Sequence, residues 1–378
     1  MSFFTLPVSI SRLLLVAGGL SLGLSATAQD VPTSPPVLVP ADSVQQPAPD
    51  SSKAVAAVAP ADTTGRPPRR SDYRMPSGVT YHYERPKPFR FLLNIPRDVV
   101  AYPKFAFQKK NLPMIGGVVV STVVLYAFDQ QILDGAKQLG RHMHLSSAST
   151  QTTLFDVPLR YGNGKQLDLE FNYPSNLNSA MYFLGDGWTH LSIAGGFWAY
   201  GLIGRDNRAS QTASQVMEAV YTNGLVVQVL KHLTGRESPY TTTYPRGKIR
   251  LFPNQKTYSQ HVPNYDAYPS GHLSTAMATV TVIAENYPEY RFVRPVGYSL
   301  MGLLSYAMLN NGVHWASDYP LALALGYGFG KIAVMNGRKE VKRDQETGLL
   351  MPQPWYKQVR LTPTGGAGSY GLTMQYRW

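Results

Sequence analysis

The sequence predicts a mainly α protein, a six-helix bundle with a short C-terminal β-hairpin. Three observations carry this. Six apolar-rich segments of helical length follow one another between residues 112 and 335. Charged residues are only 15% of the 378-residue chain, against 44% hydrophobic residues, so a large core can be buried. The last nine residues alternate in the period of a strand.

The chain begins in the manner of an export signal. Arg12 precedes an apolar stretch from Leu13 to Leu24, and Ala26-Thr27-Ala28 fits a small-residue cleavage site. Residues 1–28 therefore read as a signal peptide, with an uncleaved anchor as the alternative. Residues 29–70 are rich in Pro, Ala, Ser, Asp and Thr and offer no periodic apolar face, so they read as a disordered tether. Residues 71–110 form an amphipathic interfacial segment. Within it, Phe89 to Phe107 mixes bulky apolar residues with Arg90, Arg97 and Lys104, and reads as a helix broken at Pro96 and Pro103.

The bundle is expected over 111–337. Its first helix, 112–128, is the most apolar stretch after the signal and ends at Asp129. It is borderline for a membrane span, which takes about 20 residues. Residues 135–180 read as a polar loop with some extended structure. Helices follow at 181–204, 209–233, 272–286, 292–310 and 319–335. The second carries Asp186 and His190, and the third carries Gln211, Gln215, Glu218 and Gln228. Such groups cost several kcal/mol in lipid unless they face a bundle interior. The expectation is a bundle associated with the membrane, its alternative a soluble one. In the tail, 338–378, Tyr370, Leu372, Met374, Tyr376 and Trp378 alternate with Gly371, Thr373, Gln375 and Arg377. That strand pairs naturally with 359–362 across the intervening glycines. Forty residues are too few for a membrane barrel, which needs about eight strands.

The net charge of +12 suits an anionic partner. The basic residues are scattered, without a nucleic-acid-binding signature. Lys104, Lys109 and Lys110 flank apolar segments, which fits a lipid headgroup surface or simply a solvated face. The chain has no cysteine, which excludes disulfides, thiolate metal sites and a cysteine nucleophile.

Three elements carry chemistry. Tyr268-Pro269-Ser270-Gly271-His272 makes a turn into an apolar helix, whose free N–H groups and positive dipole end favour an anion. His314 and Asp318 are four apart, so one helical face would bring the carboxylate to one ring nitrogen and leave the other free as nucleophile or base. Lys231 to Pro239 closes an apolar helix with cations. Each has an ordinary structural explanation: a capped helix start, a surface ion pair, and charges that compensate a helix dipole.

In this order the three resemble the motifs of the type 2 phosphatidic acid phosphatase superfamily, which includes bacterial acid phosphatases, lipid phosphatases and vanadium haloperoxidases. The resemblance covers roughly residues 110–335 and implies the family's six-helix bundle. It implies that Lys231 holds phosphate oxygens, with Ser270 and Gly271 donating to them. His272 would protonate the leaving oxygen, His314 would attack phosphorus to form a phosphohistidine, and Asp318 would orient His314. The family's two arginines fall on Ser238 and on Met308, which follows Ala307 instead of serine. Arg236 is the candidate to replace one of them at the rim of the pocket. No metal and no cofactor is implied. The expected function is an exported, envelope-located hydrolase of a lipid-linked or small phosphate monoester. The alternatives are a relative that binds phosphorylated lipid without turnover, and a structural envelope protein.

Overall fold

A computed structural model of the chain describes residues 68–161, 165–341, 359–366 and 369–376. The expected signal peptide and nearly all of the tether lie outside these residues. The described part is mainly helical with small sheets. Its elements are β1 (Asp72–Arg74), β2 (Thr80–Tyr83), α1 (Arg90–Ala106), α2 (Leu112–His142), β3 (Gln151–Tyr161), β4 (Lys165–Pro174), α3 (Leu177–Phe183), α4 (Gly187–Ile203), α5 (Asn207–Thr234), α6 (Gln255–Gln260), α7 (Gly271–Asn286), α8 (Val293–Asn310), α9 (Tyr319–Gly337), β5 (Arg338–Val341), β6 (Val359–Gly366) and β7 (Ser369–Tyr376).

Helices α5, α7 and α9 pack on one another at the centre. Helices α4 and α1 lie against α5, and α8 lies against α7. Small residues allow the central crossing. A Cβ on Gly326 would stand 2.2 Å from the Ser274 carbonyl oxygen, and one on Gly330 would stand 2.8 Å from Thr281. Only glycine lets α9 approach α7 so closely. The core above this crossing is Val216, Ala219, Ala278, Val282, Ala333 and Val334.

Local chemistry sets the helix ends. Asp206 caps α5, its carboxylate accepting from the Ala209 N–H at 3.0 Å. Gly235 ends α5 in the left-handed region at φ 52°, a conformation that favours glycine. That sharp stop leaves Lys231 in the last turn and Arg236 just beyond it. Asp186 caps α4 by accepting from Trp188 N–H at 2.9 Å.

Several expectations change. The segment 181–204 is two helices, α3 and α4, parted at Leu184–Asp186, because Asp186 supplies a new N-cap. Helix α2 runs on to His142, past the polar residues that suggested a loop. Its second half is held by Leu133, which packs with Ala267, Leu309, Trp315 and Ala316. Beyond it, β3 and β4 pair antiparallel. Helix α1 is unbroken, with both Pro96 and Pro103 inside it. Both prolines face outwards, where water can satisfy the carbonyls they leave unpaired. The chain after α9 returns as β5 to pair with β2, giving an antiparallel sheet of order β1-β2-β5. Strands β6 and β7 pair antiparallel, with Val359 opposite Tyr376.

Candidate active site

The turn before α7 and the turn before α9 are stitched together. Ser270 N–H donates to the Asp318 carbonyl at 3.2 Å. The Ser270 hydroxyl accepts from Leu273 N–H at 3.4 Å, capping α7. Lys231 reaches this helix start from α5, its Nζ 4.0 Å from where a Cβ on Gly271 would lie.

His314 is 4% exposed. Its Nδ1 contacts the Ala267 carbonyl at 2.7 Å and Asp318 Oδ2 at 3.4 Å. A carbonyl only accepts, so Nδ1 carries the proton and Nε2 keeps its lone pair. The ring is thus held with Nε2 unprotonated mainly by a backbone carbonyl. Asp318 spends its shorter contacts elsewhere. Oδ2 accepts from Trp315 N–H at 2.8 Å, and Oδ1 accepts from Arg236 Nη1 at 2.6 Å. The segment is a 3-10 turn, Ala316–Asp318, rather than a continuous helix.

His272 stands at the first turn of α7, its ring centroid 4.6 Å from that of Tyr182. Burial, and then the charges of His314, Lys231 and His190, push it down to about 3. It is neutral near pH 7. A bound phosphate dianion would be the group that draws a proton onto it.

Arg236 does not sit at a rim. It is 2% exposed. Nη2 donates to Asp129 Oδ2 at 2.7 Å and to the Arg246 carbonyl at 3.0 Å. Nη1 donates to Ser317 Oγ at 2.7 Å as well as to Asp318. The guanidinium also lies over the rings of Tyr126 and Trp315. Burial works against its charge, yet Asp318 and Asp129 hold its pKa above the ordinary arginine value. Its four Nη protons are directed into this network, and its Nε–H is buried without a hydrogen-bond partner.

Lys231 is also matched. Its Nζ lies 2.7 Å from Asp266 Oδ2. Met308 is fully buried among Leu273, Ala276, Met301, Leu304 and Ala322, with the Ser270 hydroxyl 3.4 Å from its sulfur. Ser238 is 5% exposed, its N–H bound to the Pro263 carbonyl at 2.9 Å.

Sequence reasoning missed three participants. Asp129 was read as the end of an apolar helix, yet it is 0% exposed. The signal available was a carboxylate inside a helix that continues beyond it. Ser317 donates to Asp129 through its hydroxyl at 2.6 Å and its N–H at 2.9 Å. Asp266, two residues before Tyr268, carried no pattern. Among the described residues there is no cluster of His, Asp or Glu suited to a metal ion.

Residues 213–341 match a family model described as the PAP2 superfamily. No curated protein matches the chain, and no solved structure does. The matched segment runs from within α5 through α7, α8 and α9 and includes Lys231, His272, His314 and Asp318, so the stretch that carries these four residues is similar to the PAP2 superfamily.

Proposed function

We propose that the protein is an exported hydrolase of a lipid-linked or small phosphate monoester, working through a phosphohistidine at His314. The observation that carries this reading is the His314 ring, buried and fixed with Nδ1 on the Ala267 carbonyl. Nε2 is then available to attack phosphorus. The new P–N bond forms as the ester P–O bond breaks, and the leaving oxygen takes its proton from His272. Water then hydrolyses the P–N bond, with His272 as base. Lys231 and the Gly271 N–H supply the charge complement at the start of α7, the Ser270 N–H being held by the Asp318 carbonyl.

A second reading, binding of a phosphorylated ligand without turnover, is favoured by two specific facts. Lys231 is paired with Asp266, and Met308, at a position where the resemblance implies an arginine, is buried in an apolar cluster. Loss of one strong oxyanion donor costs about 10²–10³ in rate.

We assign α2, α4, α5, α7, α8 and α9 to the six-helix bundle of this superfamily. The β6–β7 hairpin is an appendage to it, and a structural envelope role would use that hairpin as its contact. Helix α2 supports membrane association. Among the described residues it is, with the turn before it, the one helix long and apolar enough to cross a membrane. It exposes Val119, Val120, Val123, Val124 and Phe128. The site would then face the periplasm; a soluble periplasmic protein is the alternative.

The test is hydrolysis of p-nitrophenyl phosphate and of phosphatidic acid, each against His314→Ala, with acid-labile phosphate on His314 trapped by rapid denaturation. Turnover abolished by His314→Ala supports the hydrolase. Phosphate binding with no hydrolysis selects the second reading.

A further inference from the structure

Arg236 holds two buried carboxylates. It donates to Asp318 Oδ1 at 2.6 Å and to Asp129 Oδ2 at 2.7 Å. Ser317 ties the two ends together, accepting from Arg236 and donating to Asp129. All four side chains are at most 2% exposed. Charges inside such a volume are weakly screened. Two carboxylates and one guanidinium leave one net negative charge, and Asp318 Oδ2 presents it 3.4 Å from His314 Nδ1. Were Arg236 paired with Asp318 alone, the pair would be neutral and His314 would face no net counter-charge. The backbone of Arg236 joins the same arrangement. Its carbonyl accepts from Ala267 N–H at 3.0 Å, and the Ala267 carbonyl is the partner of His314.

We propose that Asp129, on the α2 helix that precedes the family-matched segment, is a positioning residue that draws the Arg236 charge away from Asp318 and so keeps Asp318 an effective anion for His314. This rests on His314 being the nucleophile of the proposed hydrolase. The other charged or titratable groups around the His314 turn are His272 on α7 and Lys231 on α5. Asp266 and Tyr268 lie before α7, and Tyr126 and Arg246 lie against the Arg236 guanidinium. Lys137 on α2 and Tyr240 both lie beside Gly312. Tyr319 follows Asp318 on α9. Asp129→Asn changes none of these.

The test reads the His314 ring directly, in full-length protein with ¹⁵N-labelled histidine, assigned with His314→Gln. In Asp129→Asn the network is neutral, and the pH at which the His314 signals change should fall by about one unit. In Asp129→Asn/Arg236→Gln the charge is again −1, and the midpoint should return towards that of the parent. Where the ester is hydrolysed, the acid limb of kcat/KM should follow the same order. A purely structural role for Asp129 would move stability without moving these midpoints. A folded Asp129→Asn with an unmoved midpoint overturns the proposal, as does a double variant that titrates like the single one. If Asp129→Asn alone does not fold, the double variant decides. Folded, with a midpoint near the parent's, it supports the proposal; unfolded, it shows that the network serves the fold and overturns it. The ring readout does not need turnover. An inert protein with the predicted midpoints would sink the hydrolase reading and leave this charge arrangement standing.

Discussion

Lys231 Nζ lies 2.7 Å from Asp266 Oδ2, while the other oxygen of Asp266 accepts from the Tyr258 hydroxyl at 2.5 Å. The cation proposed to bind phosphate therefore already has an anion beside it. A phosphate must displace that carboxylate or share the lysine with it. Asp266→Asn is expected to tighten inorganic phosphate binding by about tenfold, equivalent to about 1.4 kcal/mol, whereas Lys231→Ala should abolish it. Calorimetric titration distinguishes the two. Unchanged affinity in Asp266→Asn would mean that the carboxylate does not compete for the site.

Restoring the motif arginines with Met308→Arg and Ser238→Arg has a structural obstacle. Met308 has no exposed surface and sits in an apolar cluster. An unpaired guanidinium there should cost about 3–5 kcal/mol of stability, while Met308→Leu should cost less than about 1.5 kcal/mol. The expected outcome for the double arginine variant is a lowered thermal midpoint that millimolar phosphate partly restores, because the anion pairs the new charges. Gain of ester hydrolysis in the phosphate-stabilised variant would show that missing cations limit the site. A stable variant with no gain would favour binding without turnover.

The protein should lose stability on mild acidification. Burial lowers His190 to about 4 and, with its cationic neighbours, His272 to about 3. The ordinary histidine value is about 6.5. Between these limits the unfolded chain binds protons that the folded chain refuses, so stability falls as pH drops from about 6.5 towards 4. The His190 ring is held by one contact, Nδ1 to Thr279 Oγ1 at 2.9 Å. His190→Gln should remove about 1–2 kcal/mol of the loss between pH 7 and pH 5, read from denaturant midpoints. An equally steep acid profile in that variant would contradict the assignment.

Glu218 titrates in the opposite sense. It joins α5 to Asn94 of α1 and Asn336 of α9, at 2.6 Å in each case. Burial, with a smaller contribution from nearby Asp98, raises it to about 8. The folded state then holds a proton that the unfolded chain releases, so stability present below about pH 4.5 is lost as pH rises towards 8. Glu218→Gln replaces the carboxyl with an amide of nearly the same shape that cannot ionise. At pH 8 it should be the more stable protein by at least about 1 kcal/mol. Identical melting curves at pH 8 would show that burial does not raise Glu218 in the folded parent.

The sequence by itself determined most of the helices and marked the candidate motifs. Apolar periodicity placed 209–233, 272–286, 292–310 and 319–335 within a residue or two of α5, α7, α8 and α9, because those helices bury most of a face in the core. It also singled out Lys231, His272, His314 and Asp318, whose spacing is local. Tertiary structure decided the rest. The break at Asp186 and the continuity of α1 through two prolines depend on which backbone groups face water, and composition does not show that. Arg236 lay two residues from a motif position and looked free to serve the phosphate. Only the fold brings Asp129, 107 positions away, to one side of its guanidinium and Asp318 to the other. A buried charge takes the partners that packing places within reach, and at long range no spacing in the chain records which those are.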